Sequence, residues 1–255
     1  MPRSLSGMGL TQLFQRPAPA GEAHDDHTHR DVKGGSARAA IFGVSDGLVS
    51  NVSLILGVAG ASPAPGVVRL AGLAGLIAGA CSMAAGEYVS VQAQRELLER
   101  ELEMERRELE LRPEMERREL AGIYRSRGVE ASVADEVAAQ LSADPETALE
   151  THAREELGID PGELGSPIRA AVSSFGAFTV GALVPLVPWL VSRGTGAVVA
   201  SVILGVVAAL LVGALLAGFT GRSVVASSAR QLAVATLAAA VTFGVGATLG
   251  VSGSA

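Results

Sequence analysis

Long apolar runs constrain the fold of this chain more than any other feature of its sequence. A helix needs about 20 apolar residues to cross the roughly 30 Å hydrocarbon core of a bilayer. Five runs reach that length; they are rich in Ala, Leu and Gly and lack the period-two alternation of strands. They are residues 39–61, 67–90, 167–191, 196–219 and 230–251. The sequence therefore predicts an all-α integral membrane protein with five transmembrane helices.

Composition agrees with this class and excludes several others. Hydrophobic residues make up 49% of the 255 residues, which is high for a soluble domain. The single cysteine, Cys81, excludes an intrachain disulfide and a zinc site built from several thiolates. The chain has no phosphate-binding loop, no arrangement typical of a catalytic nucleophile and no basic nucleic-acid patch. We therefore expect neither an enzyme of those classes nor a nucleic-acid partner.

Charged residues are concentrated between about 94 and 163, between the second and third apolar runs. The segment beginning "QAQRELLERELEMERRELEL" contains strong helix formers and no helix breaker before Pro113. The second transmembrane helix is therefore predicted to continue unbroken to about residue 112, far beyond the membrane, and shorter helices should follow. The predicted domains are a disordered tail at 1–37, transmembrane helices 1 and 2 at 38–91, a cytoplasmic helical domain at 92–165, and transmembrane helices 3 to 5 at 166–252.

The distribution of basic residues near the span ends predicts the orientation. Cytoplasmic links carry an excess of Lys and Arg. This bias places the N-terminus and residues 92–165 in the cytoplasm and the C-terminus outside. The basic residues on the cytoplasmic side are Arg30, Lys33, Arg38, Arg222 and Arg230, and those on the outer side are Arg69 and Arg193.

Asp46, in "FGVSDGLVSNVSLILG", is the clearest functional candidate within a span. An ionisable side chain at mid-bilayer costs about 2.5 to 3.5 kcal/mol on insertion scales, so it usually serves a pathway or a partner. Ser50 and Ser53 follow on the same helical face, and Asn51 flanks them. The alternative is an Asp that only hydrogen-bonds a neighbouring span.

Met83 and Glu87 lie one helical turn apart where the second span leaves the apolar region. Counting inward from each end places Met83 at a depth similar to that of Asp46. Gly75 and Gly79 precede Met83 on the same ridge and would allow close helix packing. Met is an ordinary core filler, but beside an Asp and a Glu its thioether becomes a candidate ligand for a transition metal such as Fe(II).

Two groups of carboxylates flank Pro113 in the charged segment, and a third lies further along. Facing carboxylate pairs on helices can hold several metal ions. Alternatively, the dense alternation of Glu and Arg only forms ion pairs on a solvated surface; the residues alone leave both interpretations open. The candidates are Glu101, Glu105 and Glu108 before the proline, Glu116 and Glu119 after it, and His152, Glu155 and Glu156 in "THAREELG".

Three stretches together carry a resemblance to a known family. They are "FGVSDGLVSNVSLILGVAGA", "GLIAGACSMAAGEYVSVQAQRE" and the charged helical insert ending in "THAREELG". In this order they resemble the vacuolar iron transporter family over about residues 30–252. The resemblance implies a homodimer with five transmembrane helices per subunit that exchanges Fe(II) for protons, along a path at the dimer interface lined by the first two helices.

The resemblance also assigns expected roles. Asp46 and Met83 match the pathway Asp and Met of the family. Plant members carry an acidic residue two turns before that Met, where this chain has Gly75; Glu87 instead resembles the nodulin-like branch and would supply the missing carboxylate. The insert resembles the metal-binding domain of the plant transporters at Glu105, Glu108, Glu116 and Glu119.

The insert departs from the plant pattern at one point. Where the plant domain has a Met pair followed by Glu, this chain has His152, Ala153 and Glu156. The site loses thioethers and gains an imidazole. Because His and carboxylate ligands also suit other metals, Mn(II), Co(II) and Zn(II) become candidates beside Fe(II).

The predicted function is proton-coupled export of Fe(II), with Mn(II) as a second candidate cargo, from the cytoplasm across a lipid bilayer by a homodimer. A second hypothesis is a membrane-anchored iron buffer or ferroxidase, in which the spans only anchor the insert. A third is a scaffold whose Glu- and Arg-rich helices bind partners. The composition, rich in Ala, Gly and Arg, and the lack of a vacuolar sorting signal predict a bacterial plasma-membrane location.

Overall fold

Helices account for nearly all of the described chain. The structure, a computed structural model, describes residues 35–61 and 64–251. Within these ranges there are eight α-helices, one short 3-10 helix at Pro161–Glu163 and no strand. The α-helices are α1 (Gly35–Ala61), α2 (Pro65–Leu111), α3 (Pro113–Ser126), α4 (Ala131–Leu141), α5 (Pro145–Glu155), α6 (Pro167–Val191), α7 (Gly194–Thr220) and α8 (Val224–Val251). The predicted tail lies outside the described residues, apart from 35–37, which begin α1.

Five of these helices are long and apolar enough to cross a membrane, which confirms the predicted number of spans within the described ranges. They are α1, α2, α6, α7 and α8. The predicted start of the last helix, at residue 230, is wrong, because α8 begins at Val224. The Ser223 hydroxyl accepts a hydrogen bond from the Ala226 amide and caps the helix. The hydropathy pattern missed this first part of α8, because Ser227, Ser228 and Arg230 interrupt the apolar run.

The predicted continuity of α2 is confirmed. This helix is 47 residues long, or about 70 Å at 1.5 Å per residue, so it exceeds a bilayer core by more than a factor of two. Pro113 then starts α3. The Glu130 side chain accepts a hydrogen bond from the Val133 amide and caps α4, and the Asp144 side chain accepts one from the Thr147 amide and caps α5. The helices between the second and third spans are therefore connected to the bundle by α2.

The first helix lies at the centre of the spanning bundle. It packs against α2, α6, α7 and α8. Small residues bring the backbones together: a Cβ on Gly47 would lie 2.2 Å from the Phe178 carbonyl oxygen, and one on Gly181 would lie 2.2 Å from the Val44 carbonyl oxygen. Such close approach is typical of helices that pack inside membranes. It holds α1, and with it Asp46, at a fixed rotation against α6.

Gly47→Ala should therefore destabilise the protein by about 3 kcal/mol, near the upper end for overpacking, because the added methyl meets backbone that cannot rotate away. The measurement is thermal unfolding of the detergent-purified protein. Gly176→Ala on α6 is the matched control, since no described atom lies within 4 Å of its added Cβ. Equal melting temperatures for the two variants would contradict the packing of α1 on α6.

Candidate functional site

A pocket of about 480 Å³ opens between the first two helices and α8. The three candidate residues Asp46, Met83 and Glu87 all line it. Phe42, Ser45, Val49 and Val234 complete its wall. Positions 42, 45, 46 and 49 share one face of α1, as the helical repeat requires. The structure thus brings the acidic residue of the first span and the Met and Glu of the second span into one cavity.

The Asp46 side chain is exposed at the surface of the helix bundle. The Ser50 hydroxyl, one turn further along α1, donates a hydrogen bond of 2.8 Å to Oδ1 of Asp46. This bond restricts the rotamer of the Asp46 side chain. Ser50 itself is exposed and is not among the residues that line the pocket. Its contact with the site is through Asp46.

Close packing of α2 places Met83 and Glu87 opposite α1. A Cβ on Gly75 would lie 2.3 Å from Cδ2 of Leu54, and one on Gly79 would lie 2.2 Å from the Phe178 ring. Side chains at these positions would push α2 away from α1 and α6. Met83 and Glu87 are both half-buried. Two carboxylates and a thioether in one cavity are suitable ligands for a divalent transition metal, and each carboxylate can alternatively hold a proton.

Ser53, predicted on the same helical face as Asp46, and Asn51, predicted to flank that face, lie outside the pocket. Asn51 is buried, and its amide nitrogen donates a 2.7 Å hydrogen bond to the Ala182 carbonyl oxygen on α6. Ser53 is also buried, and neither residue is part of the pocket wall. The structure gives Asn51 a contact that joins helices, so a part for it in the pathway stays a prediction.

The last helix contributes to the pocket, which sequence reasoning missed. Val234 lines the cavity, and Nε2 of Gln231 donates a 2.8 Å hydrogen bond to Oγ of Ser45. Ser45 could have been found, since it precedes Asp46 and shares its helical face. The α8 residues carried no such signal, because hydropathy does not indicate which helices become neighbours.

A second cluster lies outside the apolar spans, where α5 packs against α2. One ligand atom from each of Glu105, His152 and Glu156 lies within 4.8 Å of the others. Nδ1 of His152 is 3.0 Å from Oε1 of Glu105 and 3.5 Å from Oε2 of Glu156. His152 and Glu105 are 0% and 4% exposed. Their burial distinguishes this cluster from the ion pairs on the surface of the same helices.

The buried atoms of this cluster lack ordinary hydrogen bonds. Among the described residues, Nδ1 and Nε2 of His152 and Oε1 of Glu105 have no partner of acceptable geometry. The 3.0 Å contact therefore has the distance of a hydrogen bond without its direction. Buried polar atoms without partners are costly. A cation bound between these side chains would give Oε1 of Glu105 and one nitrogen of His152 a partner.

The pKa values of the ionisable groups around this cluster are shifted in one direction. Burial and then the nearby charges of Glu105 and Glu119 raise the pKa of both Glu116 and Glu156. Burial by itself lowers the pKa of His152, but interaction with Glu105 and then Glu156 outweighs it, so the pKa of His152 is raised. Every shift favours the protonated form. A divalent cation would offset the same repulsion.

The remaining candidates of the insert divide into near and distant groups. Glu116 is buried beside the cluster, and the charges of Glu108 and Glu119 reach Glu116 from exposed positions. Glu101 is half-buried on α2 and does not belong to the three-residue cluster. Glu155 pairs instead with Arg127. The structure therefore separates His152 and Glu156 from Glu155, which the sequence motif placed together.

The sequence of this chain is similar to those of a known protein family. A model of the "VIT family" matches residues 37–247. A vacuolar iron transporter of Acanthamoeba castellanii is 38% identical over 230 residues, which are 88% of this chain and 83% of that relative. Vacuolar iron transporter 1 of Oryza sativa subsp. japonica is 31% identical over 246 residues, 96% of this chain and 97% of the relative.

A relative from a further plant shows similar coverage. Vacuolar iron transporter 1 of Arabidopsis thaliana is 31% identical over 221 residues, 86% of this chain and 88% of its own length. These matches extend across the spans and the helices between them. The chain therefore belongs to the VIT family, the family of the vacuolar iron transporters.

Proposed function

We propose that this protein transports Fe(II) across a membrane and that the cation passes through the pocket of Asp46, Met83 and Glu87. The relatives named above are vacuolar iron transporters, which supports a membrane metal transporter. The observation that carries the proposal is the pocket itself, because two carboxylates and a thioether converge there from two membrane-spanning helices. Membrane-buried acids are costly and usually serve an ion path.

Exposure of the pocket residues supports a homodimer. Asp46 and Ser50 are exposed on the subunit surface within a helix long and apolar enough to span a bilayer. Contact of a carboxylate with lipid chains is unfavourable. A second copy of the chain would cover this surface and enclose the path between two α1 helices and two α2 helices. Phe42, which is 62% exposed at the pocket wall, would be covered with it.

The insert is proposed to collect the metal in the cytoplasm. Glu105, His152 and Glu156 would bind a cation there, and Glu116 would supply a further buried carboxylate. An imidazole with carboxylates suits Mn(II), Co(II) and Zn(II) as well as Fe(II). The continuous α2 helix connects this cluster to Met83 and Glu87. Metal collected by the insert would therefore be held near the inner end of the path.

Proton exchange would complete the cycle. A carboxylate such as Asp46 or Glu87 can hold either a divalent cation or a proton, so proton entry from outside would release metal there. The proposed direction is export from the cytoplasm, with the N-terminus inside and the C-terminus outside. The proposed location is a bacterial plasma membrane, in which export lowers cytoplasmic iron.

The proposal is tested by metal uptake into proteoliposomes under an imposed pH gradient. We expect Fe(II) movement to require the gradient and to alkalinise the lumen in step with transport, because protons leave the lumen as the metal enters it. A variant with Glu105, Glu108, Glu116 and Glu119 all changed to Ala should transport more slowly but retain gradient dependence. Movement of Fe(II) that is indifferent to the gradient would contradict proton exchange.

A membrane-anchored iron buffer or ferroxidase is the second candidate, and the buried carboxylate and imidazole cluster favours it specifically. In that case the spans would only anchor the insert. The same proteoliposomes would then bind or oxidise iron at the insert while no variant moves metal into the lumen. The acidic pocket between the spans would have no part in such an activity.

The metal-free protein should become less stable as the pH rises through neutrality. The pKa of His152 is raised by the fold, so its contribution is fully present below its ordinary value of 6.5 and is lost as the pH rises through the folded value. The pKa values of Glu116 and Glu156 are also raised by the fold, so their contributions to stability change with pH in the same direction. Thermal unfolding in chelator, from about pH 6 to about pH 8, measures this slope.

His152→Gln should reduce that slope, because the variant cannot gain a proton at this position. Saturating Mn(II) should raise the melting temperature of the unmodified protein most at the higher pH, where the cation replaces missing protons. Equal pH slopes for the variant and the unmodified protein would contradict the electrostatic description of the cluster.

A further inference from the structure

Two side-chain hydrogen bonds join α8 to the central helix α1, and they differ in the acceptor on α1. Oγ1 of Thr242 donates a 2.8 Å hydrogen bond to the Ser53 carbonyl oxygen, which is backbone. Nε2 of Gln231 donates a 2.8 Å hydrogen bond to Oγ of Ser45, which is a side chain. Ser45 lines the same pocket as Asp46. Only the second hydrogen bond therefore involves a side chain that a cation in the pocket could contact.

Gln231 is not needed to bring the two helices together. A Cβ on Gly246 would lie 1.9 Å from the Gly57 carbonyl oxygen, so backbone contacts already hold α8 against α1. Gln231 is 8% exposed. Burial of an amide in apolar surroundings is unfavourable unless it is hydrogen-bonded, and an aliphatic side chain would fill this space at lower cost. A polar residue here calls for an explanation beyond packing.

The chemistry of Ser45 supplies that explanation. A serine hydroxyl has one proton to donate and two lone pairs that accept. The N–H of Gln231 occupies one lone pair, which leaves the second lone pair and the proton for other partners. A divalent cation offers water ligands that donate hydrogen bonds, or a direct bond to oxygen. The amide thus fixes the position of an oxygen adjacent to Asp46 while leaving it able to interact with a cation.

We propose that Gln231 is a positioning residue of the transport pocket, which holds the Ser45 hydroxyl at the wall so that it contacts the hydrated cation beside Asp46. This inference rests on the proposed function, because it assigns a role within the same pocket. It makes α8, which carries no acidic residue, part of cation recognition. Gln231 acts through Ser45 and does not itself touch the cation.

The test is Fe(II) uptake into proteoliposomes under an imposed pH gradient, with KM and kcat measured separately. We expect Gln231→Leu to raise the KM for Fe(II) about fivefold with little change in kcat, as the loss of about one hydrogen bond predicts. Ser45→Ala should raise the KM at least as much. The double variant should match Ser45→Ala alone, since the two residues act as one unit.

Thr242→Val is the matched control. It removes the other polar contact between α8 and α1, about three helical turns from Gln231, and away from the pocket. It should lower thermal stability by a similar amount and leave the KM unchanged. An equal rise in KM with Thr242→Val, or a further rise when Gln231→Leu is added to Ser45→Ala, would overturn the positioning role and leave Gln231 a structural residue.

A separate readout keeps this inference distinct from the proposed function. If the unmodified protein moves no metal, the transport proposal fails. Equilibrium binding of Mn(II) to the detergent-purified protein, in a background with Glu105→Gln and His152→Gln to remove the insert cluster, then decides the role of Gln231. Gln231→Leu should weaken this remaining binding about fivefold. Unchanged binding would overturn the inference.

Discussion

Asp46→Asn should lower the initial rate of Fe(II) transport by at least about 100-fold. Loss of a group that only supports a metal ligand already costs about 10- to 100-fold, and Asp46 is proposed to be a ligand itself. Asn keeps the size and the hydrogen bond from Ser50 but can neither hold a proton nor neutralise a cation. The measurement is uptake into proteoliposomes under a pH gradient, normalised to the amount of reconstituted protein.

Two further variants show that the effect belongs to the pocket. Asp135→Asn removes an exposed carboxylate on α4 and should leave the rate unchanged. Ser50→Ala removes the hydrogen bond to Asp46 but keeps its charge, so we expect a loss of about fivefold, far less than that of Asp46→Asn. Proton-coupled transport that survives in Asp46→Asn would exclude Asp46 from the path.

The second large effect is expected at the insert. Glu105→Gln and His152→Gln should each weaken binding of Fe(II), Mn(II) or Zn(II) to the full-length protein by at least about 100-fold, because each removes a buried ligand. Binding is measured by calorimetry in detergent, in the Asp46→Asn background so that the pocket contributes little. Circular dichroism should show that both variants keep their helices.

Glu108→Gln is the matched control for Glu105→Gln. The two glutamates lie one turn apart on α2, but Glu108 is exposed and outside the three-residue cluster. Removing the Glu108 carboxylate should change the metal affinity less than about fivefold, because a solvent-exposed charge interacts only weakly with a bound ion. Equal losses for Glu105→Gln and Glu108→Gln would instead indicate a broad carboxylate surface that binds several ions.

Local properties of the sequence predicted the spans and the long second helix. Apolar length alone defines a span, and the absence of breakers before Pro113 alone defines the continuity of α2. Prediction failed at the start of α8, because Ser227, Ser228 and Arg230 interrupt the apolar run, whereas the helix already begins at Val224, after Ser223 caps it.

The candidate sites were predicted in part. Helical spacing grouped Met83 with Glu87, and matching depth brought Asp46 near them. Spacing also grouped His152 with both Glu155 and Glu156, and it could not tell which one faces α2. In the structure Glu156 joins His152 and Glu105, whereas Glu155 pairs with Arg127. The choice depends on how α5 packs against α2, which involves residues distant in sequence.

The sequence by itself determined that five helices within the described residues are long and apolar enough to cross a membrane, and that one unbroken helix joins the apolar and charged parts. These properties depend only on the composition of each segment. Only the tertiary structure decided that Asn51 is buried against α6, that Ser45 meets Gln231, and that α8 forms a wall of the pocket. The physical reason is that a helical repeat defines a face but does not identify the helix that covers it.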